Sequence, residues 1–454
     1  MENKLNLKKD LSLLLATALV TGNMMGSGIF MLPATMANKT GPATTMLAWL
    51  FTGIGSIFIA LSFANLGSRI PKTGGPYEYS KVAFGDFMGF MNAWLYWNGS
   101  WIGNAAVVIA VASYAGSLFP IINSSHITAF IFTSTVLWVL TFINIIGVRK
   151  AGLLQTSITI FELLLFIFFI IIAAVHFNPT FLTPLFPPDK GVSTLPVAAT
   201  STLWAFVGLE SASIAAGEIK NPEKNVKKST IYGIIIALVM YMLINFFAMG
   251  AMPQDVLAKS SAPIVDILAQ FIGKNAAYLI LIGAVVSVIG TTIGWLLATA
   301  RVAYAAGKDG IFPSVFAKIH PKFQTPYIAL IIGSILVNLL LFMNYTKSLI
   351  SAFNFIILLA TLSFLPMYAS TCAAEIMLLC KRDKNFNLGN FIKNCIIPLL
   401  GFSYATWAIY GCGADVVMYG FLLILLGVPF YLFMKHKFQN EQRENLIKNY
   451  DITK

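Results

Sequence analysis

The sequence predicts a single domain of the all-α integral membrane class, with twelve transmembrane helices in a five-plus-five inverted repeat whose first and sixth helices are broken. Three observations lead there. Only 11% of the 454 residues are charged, 57% are hydrophobic, and the mean hydropathy is +0.78, whereas soluble domains carry roughly 25% charged residues. Lys and Arg are sorted into alternate inter-span segments. Two of the apolar segments are interrupted by glycine-rich stretches five spans apart.

Apolar runs of about 20 residues recur along the chain, each long enough to cross the hydrocarbon core as a helix. A helix satisfies its own backbone in lipid, whereas a barrel needs alternating apolar and polar residues, and no such alternation is present. The predicted spans are 11–37, 43–67, 85–117, 125–147, 151–177, 194–218, 226–251, 275–307, 325–344, 348–380, 390–411 and 414–434. Residues 11–177 form the first repeat, 194–380 the second, 390–434 two additional helices and 435–454 a tail. One alternate set of segments holds 25 of the 30 Lys and Arg, the other 5. The positive-inside rule then places both termini in the cytoplasm and requires an even number of spans, in a cell inner membrane or plasma membrane.

The first span breaks at Thr21-Gly22-Asn23-Met24-Met25-Gly26-Ser27-Gly28, where each of three glycines weakens a helix by about 1 kcal/mol relative to alanine. The sixth breaks at Trp204-Ala205-Phe206-Val207-Gly208-Leu209-Glu210-Ser211. Paired interruptions of this kind mark the binding site of many secondary transporters, with half-helix N-termini for a carboxylate and freed carbonyls for an ammonium. The competing reading is that these glycines only permit close helix packing.

Other classes are disfavoured. The net charge of +12 is explained by membrane sidedness, so no nucleic-acid partner is expected. Cys372, Cys380, Cys395 and Cys412 lack metal spacing, the four histidines fall at helix ends or loops, and no cofactor or metal is expected. The turn-rich loop Pro71–Tyr79, which includes Tyr77, follows no strand and carries no phosphate-binding motif. No cleavable signal peptide is expected, and no nucleophile–base pair suggests an enzyme.

Several residue groups could carry chemistry. The Ser27 hydroxyl and the amides from Gly26 to Gly28 suit a carboxylate. Carbonyls near Asn23, Met24, Trp204 and Val207 suit an ammonium. Trp295 shares a helix face with Ser287 and Thr291 and could hold a cation by cation–π attraction. Tyr96, Ser100 and Asn104 form a stripe on the third span. Glu162 and Glu210 lie deep in spans, where acids are costly and mark functional hypotheses.

The stretches GNMMGSGIFMLP, GGPYEYSKVAFG, WLYWNGSWIGN, LWAFVGLESASIAAGEIKNPEKNV and AYAAGKDGIFP together resemble the amino acid–polyamine–organocation superfamily, and within it the basic amino acid/polyamine antiporters, from about residue 10 to 435. The resemblance implies alternating-access exchange of a cationic amino acid such as arginine for its decarboxylated amine, agmatine, in acid resistance when linked to a decarboxylase, with homodimers common. It implies that Trp204 gates the substrate, that Asn104 and carbonyls near Gly99 and Ser100 receive the guanidinium, and that Glu210, Tyr77 and Tyr368 act in gating or coupling. Glu162 departs from the family pattern, which has a lysine or a small apolar residue there; it is either a proton site or an acid hydrogen-bonded to the broken first span. Val107 replaces a bulkier residue, and Ala360 or Thr361 stands where a serine is expected. Two alternatives keep open a proton-coupled or facilitative permease and an amino-acid sensor.

Overall fold

The computed structural model describes residues 7–26, 28–260, 262–346, 362–382 and 388–452. Ser27, Ala360 and Thr361 lie outside the described residues. Among those described, every regular element is helical, and the only strand-like pairing is an isolated bridge between Leu11 and Ile219. Ten helical segments are long and apolar enough to cross a membrane.

The elements run α1 (Leu13–Met24), α2 (Gly28–Lys39), α3 (Pro42–Arg69), α4 (Pro76–Phe84), α5 (Asp86–Leu118), α6 (His126–Ile146), α7 (Val148–Val175), α8 (Leu195–Leu203), α9 (Ser211–Ile214), α10 (Pro222–Ala251), α11 (Gln254–Leu257), α12 (Pro263–Ile272), α13 (Lys274–Lys308), α14 (Tyr327–Tyr345), α15 (Phe364–Arg382), α16 (Leu388–Gly411) and α17 (Ala414–Ile452). The ten segments do not include α15 and α16, which overlap the predicted spans 348–380 and 390–411. Ten such segments among the described residues thus stand against the twelve expected, with Glu375, Lys381 and Arg382 all inside the nineteen residues of α15.

Local signals account for the breaks. Ser12 caps α1, accepting the Leu15 N–H. The helix stops at Met24, and α2 restarts at Gly28. In the sixth span, α8 gives way to a single tight turn over Trp204–Phe206, then to Gly208 with φ +118°. That left-handed conformation favours glycine. A Cβ on Gly208 would also lie 2.9 Å from the Asn23 backbone carbon, so the two breaks are in direct contact.

On the face where α1 begins, the chain is tied down. The Leu11 N–H donates to the Glu218 carbonyl at 2.9 Å, and the Lys220 N–H donates to the Leu11 carbonyl at 2.8 Å. Beside this bridge the guanidinium of Arg301, on α13, donates from Nε and Nη2 to the two carboxylate oxygens of Glu218 at 2.6 and 2.9 Å. Both side chains are fully buried. A buried pair is strongly destabilising to break on one side but not to replace on both. Arg301→Met is therefore expected to cost about 3–5 kcal/mol of stability, read as a lowered thermal-unfolding midpoint in detergent, and Arg301→Met with Glu218→Met is expected to recover most of it.

Candidate functional site

The two breaks enclose a cavity of about 390 Å³. One wall is the first break, with Asn23, Met24, Gly26 and Gly28; the second is Trp204, Ala205 and Val207; the third is Gly99, Ser100, Gly103 and Val107 of α5. Thr291 and Trp295 of α13 and Phe364 of α15 complete it. No ionisable side chain is among these lining residues. Open space lies over Gly28 and Gly103, where an added Cβ would meet nothing within 4 Å.

Phe364 joins the aromatic rings. Its centroid lies 5.6 Å from Trp295, 6.4 Å from Trp204 and 5.6 Å from Tyr96, each in an edge-to-face arrangement. Trp204 is 39% exposed, whereas Trp295 is buried and stacks over Tyr96. The ring faces form a neutral, polarisable surface of the kind that attracts a cation.

Asn23 is the hub beneath this surface. Its amide donates to the Ser211 hydroxyl at 2.8 Å, and its side-chain oxygen accepts the Gln155 amide at 3.0 Å. Its backbone carbonyl accepts the Trp295 indole N–H at 3.2 Å, while the neighbouring Gly22 carbonyl accepts the Thr291 hydroxyl at 3.0 Å. Side chains from α7, α9 and α13 thereby satisfy backbone and side-chain groups at the first break. Gln155 had no place among the sequence-predicted residues; an amide side chain one face-repeat from Thr159 and Glu162 in the fifth predicted span was the available signal.

Nine of the twelve predicted substrate-binding residues line the cavity: Asn23, Met24, Gly26, Gly28, Gly99, Ser100, Trp204, Val207 and Trp295. Ser27 is outside the described residues. Tyr96 lies behind the aromatic surface, fully buried. Asn104 is placed elsewhere: it faces a small cleft shared with Thr299 and Leu296 of α13 and Leu330 of α14. Neither its side-chain oxygen nor its nitrogen has a partner among the described residues. The Ser100 hydroxyl donates to the Tyr96 carbonyl one turn back, so it is engaged with its own helix.

The gating candidates form layers between the cavity and the face carrying Leu11. One Glu210 oxygen accepts from the Tyr368 hydroxyl at 2.8 Å and from the Gly208 N–H at 3.2 Å, and Tyr96 neighbours the same carboxyl. Farther out, the Tyr77 hydroxyl donates to Asp309 at 2.5 Å, and Lys81 contacts the same carboxylate. Burial, reinforced by the hydrogen bond to Asp309, raises the Tyr77 phenol well above its usual range, which keeps it a donor. Glu78 beside it is also raised, by burial, against the opposing pull of Lys72. Asp309 and Arg301 were missed in the sequence because both sit at the end of a span, where charge reads as ordinary solvation.

Glu162 is buried on α7 and accepts the Ser287 hydroxyl of α13. Its partner is therefore the eighth predicted span and not the broken first span. No group of three or more His, Cys, Asp or Glu able to hold a metal is found among the described residues.

A model of the amino acid permease family matches residues 11–444. The chain belongs to this family. It is 33% identical over 460 residues to a Bacillus subtilis (strain 168) protein provisionally named an arginine/ornithine antiporter, covering 94% of this chain and 98% of that one. It is 31% identical to the arginine/ornithine antiporter of Pseudomonas aeruginosa, over 93% of this chain and 90% of that one. It is 30% identical to the arginine/agmatine antiporter of Chlamydia pneumoniae, over 95% and 91%. As an amino acid permease family member it is a multi-pass membrane transporter and not an enzyme.

The hub gives a direct test. A Cβ on Gly294 would lie 1.8 Å from the Asn23 side-chain oxygen and 2.3 Å from the Gln155 amide nitrogen. Gly294→Ala is expected to displace both and weaken substrate binding about tenfold, the equivalent of about 1.4 kcal/mol, measured by isothermal titration of the purified protein.

Proposed function

We propose that this chain exchanges extracellular arginine for an intracellular cation, the decarboxylated amine agmatine or the amino acid ornithine, by alternating access across a cell inner membrane, with both termini cytoplasmic. The proposed architecture is the twelve-helix inverted repeat, supported by two breaks that lie five predicted spans apart and touch at Asn23 and Gly208.

The observation that carries the reading is a cavity walled by Trp204, Trp295 and Phe364 with no ionisable side chain lining it among the described residues. A cationic end can rest on the ring faces, at about 0.5–2 kcal/mol per contact, without a fixed counter-charge to neutralise. The α-carboxylate of an amino acid meets the N-terminus of α2, where the positive end of the helix dipole favours an anion. Because no fixed charge demands that carboxylate, an amine lacking it can occupy the same space. The relatives' names, which pair arginine with ornithine or with agmatine, support a two-substrate exchanger.

A proton-coupled permease is the second reading, favoured by the buried Glu162. Its one hydroxyl partner, Ser287, is a contact that glutamine can also make.

Two measurements separate these. Proteoliposomes loaded with agmatine, ornithine or arginine are expected to take up labelled arginine at least about tenfold faster than empty ones; equal uptake into empty vesicles would sink the exchanger. In the same assay Glu162→Gln is expected to leave the pH profile of exchange unchanged. Loss of its pH dependence would instead assign Glu162 a proton.

A further inference from the structure

A second cavity, of about 380 Å³, lies away from the helix breaks, between the ends of α3, α15 and α16. Both signs of charge line it. Glu375 is only 2% exposed; one carboxylate oxygen accepts the Asn65 amide at 2.9 Å, and the other has no partner among the described residues. Arg69 and Lys393 stand exposed on the same wall. The Ser62 hydroxyl neighbours this carboxylate, and Arg69 and Lys227 lie near it without a direct ion pair to it.

A backbone acceptor adds to the carboxylate. Pro398 sits inside α16 and has no N–H, so the carbonyl of Asn394, four residues earlier and also on the cavity wall, lacks its helical partner. The site therefore offers two acceptors and two cations. A simple anion would meet Glu375, and a simple cation would meet Arg69 and Lys393. A ligand carrying a hydrogen-bonding ammonium a short distance from a phosphate satisfies both.

The position favours a membrane source for that ligand. Arg69 closes the last turn of its span and Lys393 lies in the early turns of α16, the depth at which apolar helix meets polar interface. Next to them Ile392, Ile396 and Leu400 of α16 are exposed and offer an acyl-chain surface. Basic pockets between membrane helices bind lipid headgroups in this way.

We propose that this cavity seats the headgroup of a phospholipid with a primary ammonium, such as phosphatidylethanolamine. The phosphate lies between Arg69 and Lys393, and the ammonium donates to Glu375 and the Asn394 carbonyl.

The test uses delipidated full-length protein in detergent, titrated with short-chain phosphatidylethanolamine, phosphatidylcholine, phosphatidylglycerol and free phosphoethanolamine, with bound lipid counted by native mass spectrometry. Phosphatidylethanolamine is expected to bind about tenfold tighter than phosphatidylcholine, whose quaternary nitrogen has no N–H to donate, and tighter than the other two. Glu375→Gln is expected to bring it down to the phosphatidylcholine level. Lys393→Gln, a substitution at an exposed position that leaves the fold intact, is expected to weaken both zwitterionic lipids about fivefold while keeping their order. Equal binding of the two zwitterionic lipids, tightest binding of phosphatidylglycerol, free phosphoethanolamine as tight as the lipid, or an unaltered Lys393→Gln would each overturn the assignment.

Discussion

Where α1 stops at Met24, the carbonyls of its last turn need partners that hydrocarbon does not supply. The molecule meets that need with side chains from other spans: Thr291 on the Gly22 carbonyl and Trp295 on the Asn23 carbonyl. Gln155 and Ser211 then hold the Asn23 side chain. A helix in lipid tolerates a gap only when neighbours re-satisfy it, so α7, α9 and α13 are each committed to the first break. The cavity follows from that commitment, because its lining residues are placed by the groups that repair the backbone.

The two faces of the molecule are closed by different chemistry. Toward Leu11 the closure is layered and charged: Glu210 with Tyr368, Tyr77 and Lys81 with Asp309, Arg301 with Glu218. On the face where α2 ends, the contacts are hydroxyl and amine bonds, Lys39 to Ser201 and Thr40 with Thr194, with Trp204 partly exposed between them and the cavity. The first set is a stack of specific bonds that must release together. The second also includes the Lys190 ammonium on the Ala37 carbonyl and the Gly41 N–H on the Lys190 carbonyl, and none of these four bonds involves a carboxylate.

Much of this was legible in residue type and spacing. Three glycines in seven residues located the first break, and a glycine beside a glutamate located the second. The cavity wall at Trp295 followed from helical periodicity, and that at Gly99 from the family resemblance. Long-range pairing was not legible. Nothing local indicates that Asp309 reaches Tyr77 across 232 residues or that Arg301 reaches Glu218, because a charge at the end of a span looks the same whether it meets solvent or a partner. Asn104 shows the converse: periodicity put it on the stripe of Ser100, but four residues advance a straight helix by slightly more than one turn, and it faces α13 and α14 instead of the cavity. Glu162 pairs with α13 and not with α1, a choice between two neighbouring helices that no single span encodes.

The Arg301–Glu218 pair also constrains how the chain is made. Its members are 83 residues apart, so at about 5–20 residues per second the carboxylate is synthesised roughly 4–17 s before its guanidinium. During that interval a sixth span already packed in the bilayer would carry an unmatched acid. Glu218 ends the predicted sixth span, so until α13 emerges its carboxyl can stay hydrated at the membrane face or be neutralised by a proton, and its burial as a charged group waits for Arg301. The Leu11 bridge, made through the Glu218 carbonyl and the Lys220 N–H, thus lies against an ion pair that the first two hundred residues cannot complete by themselves.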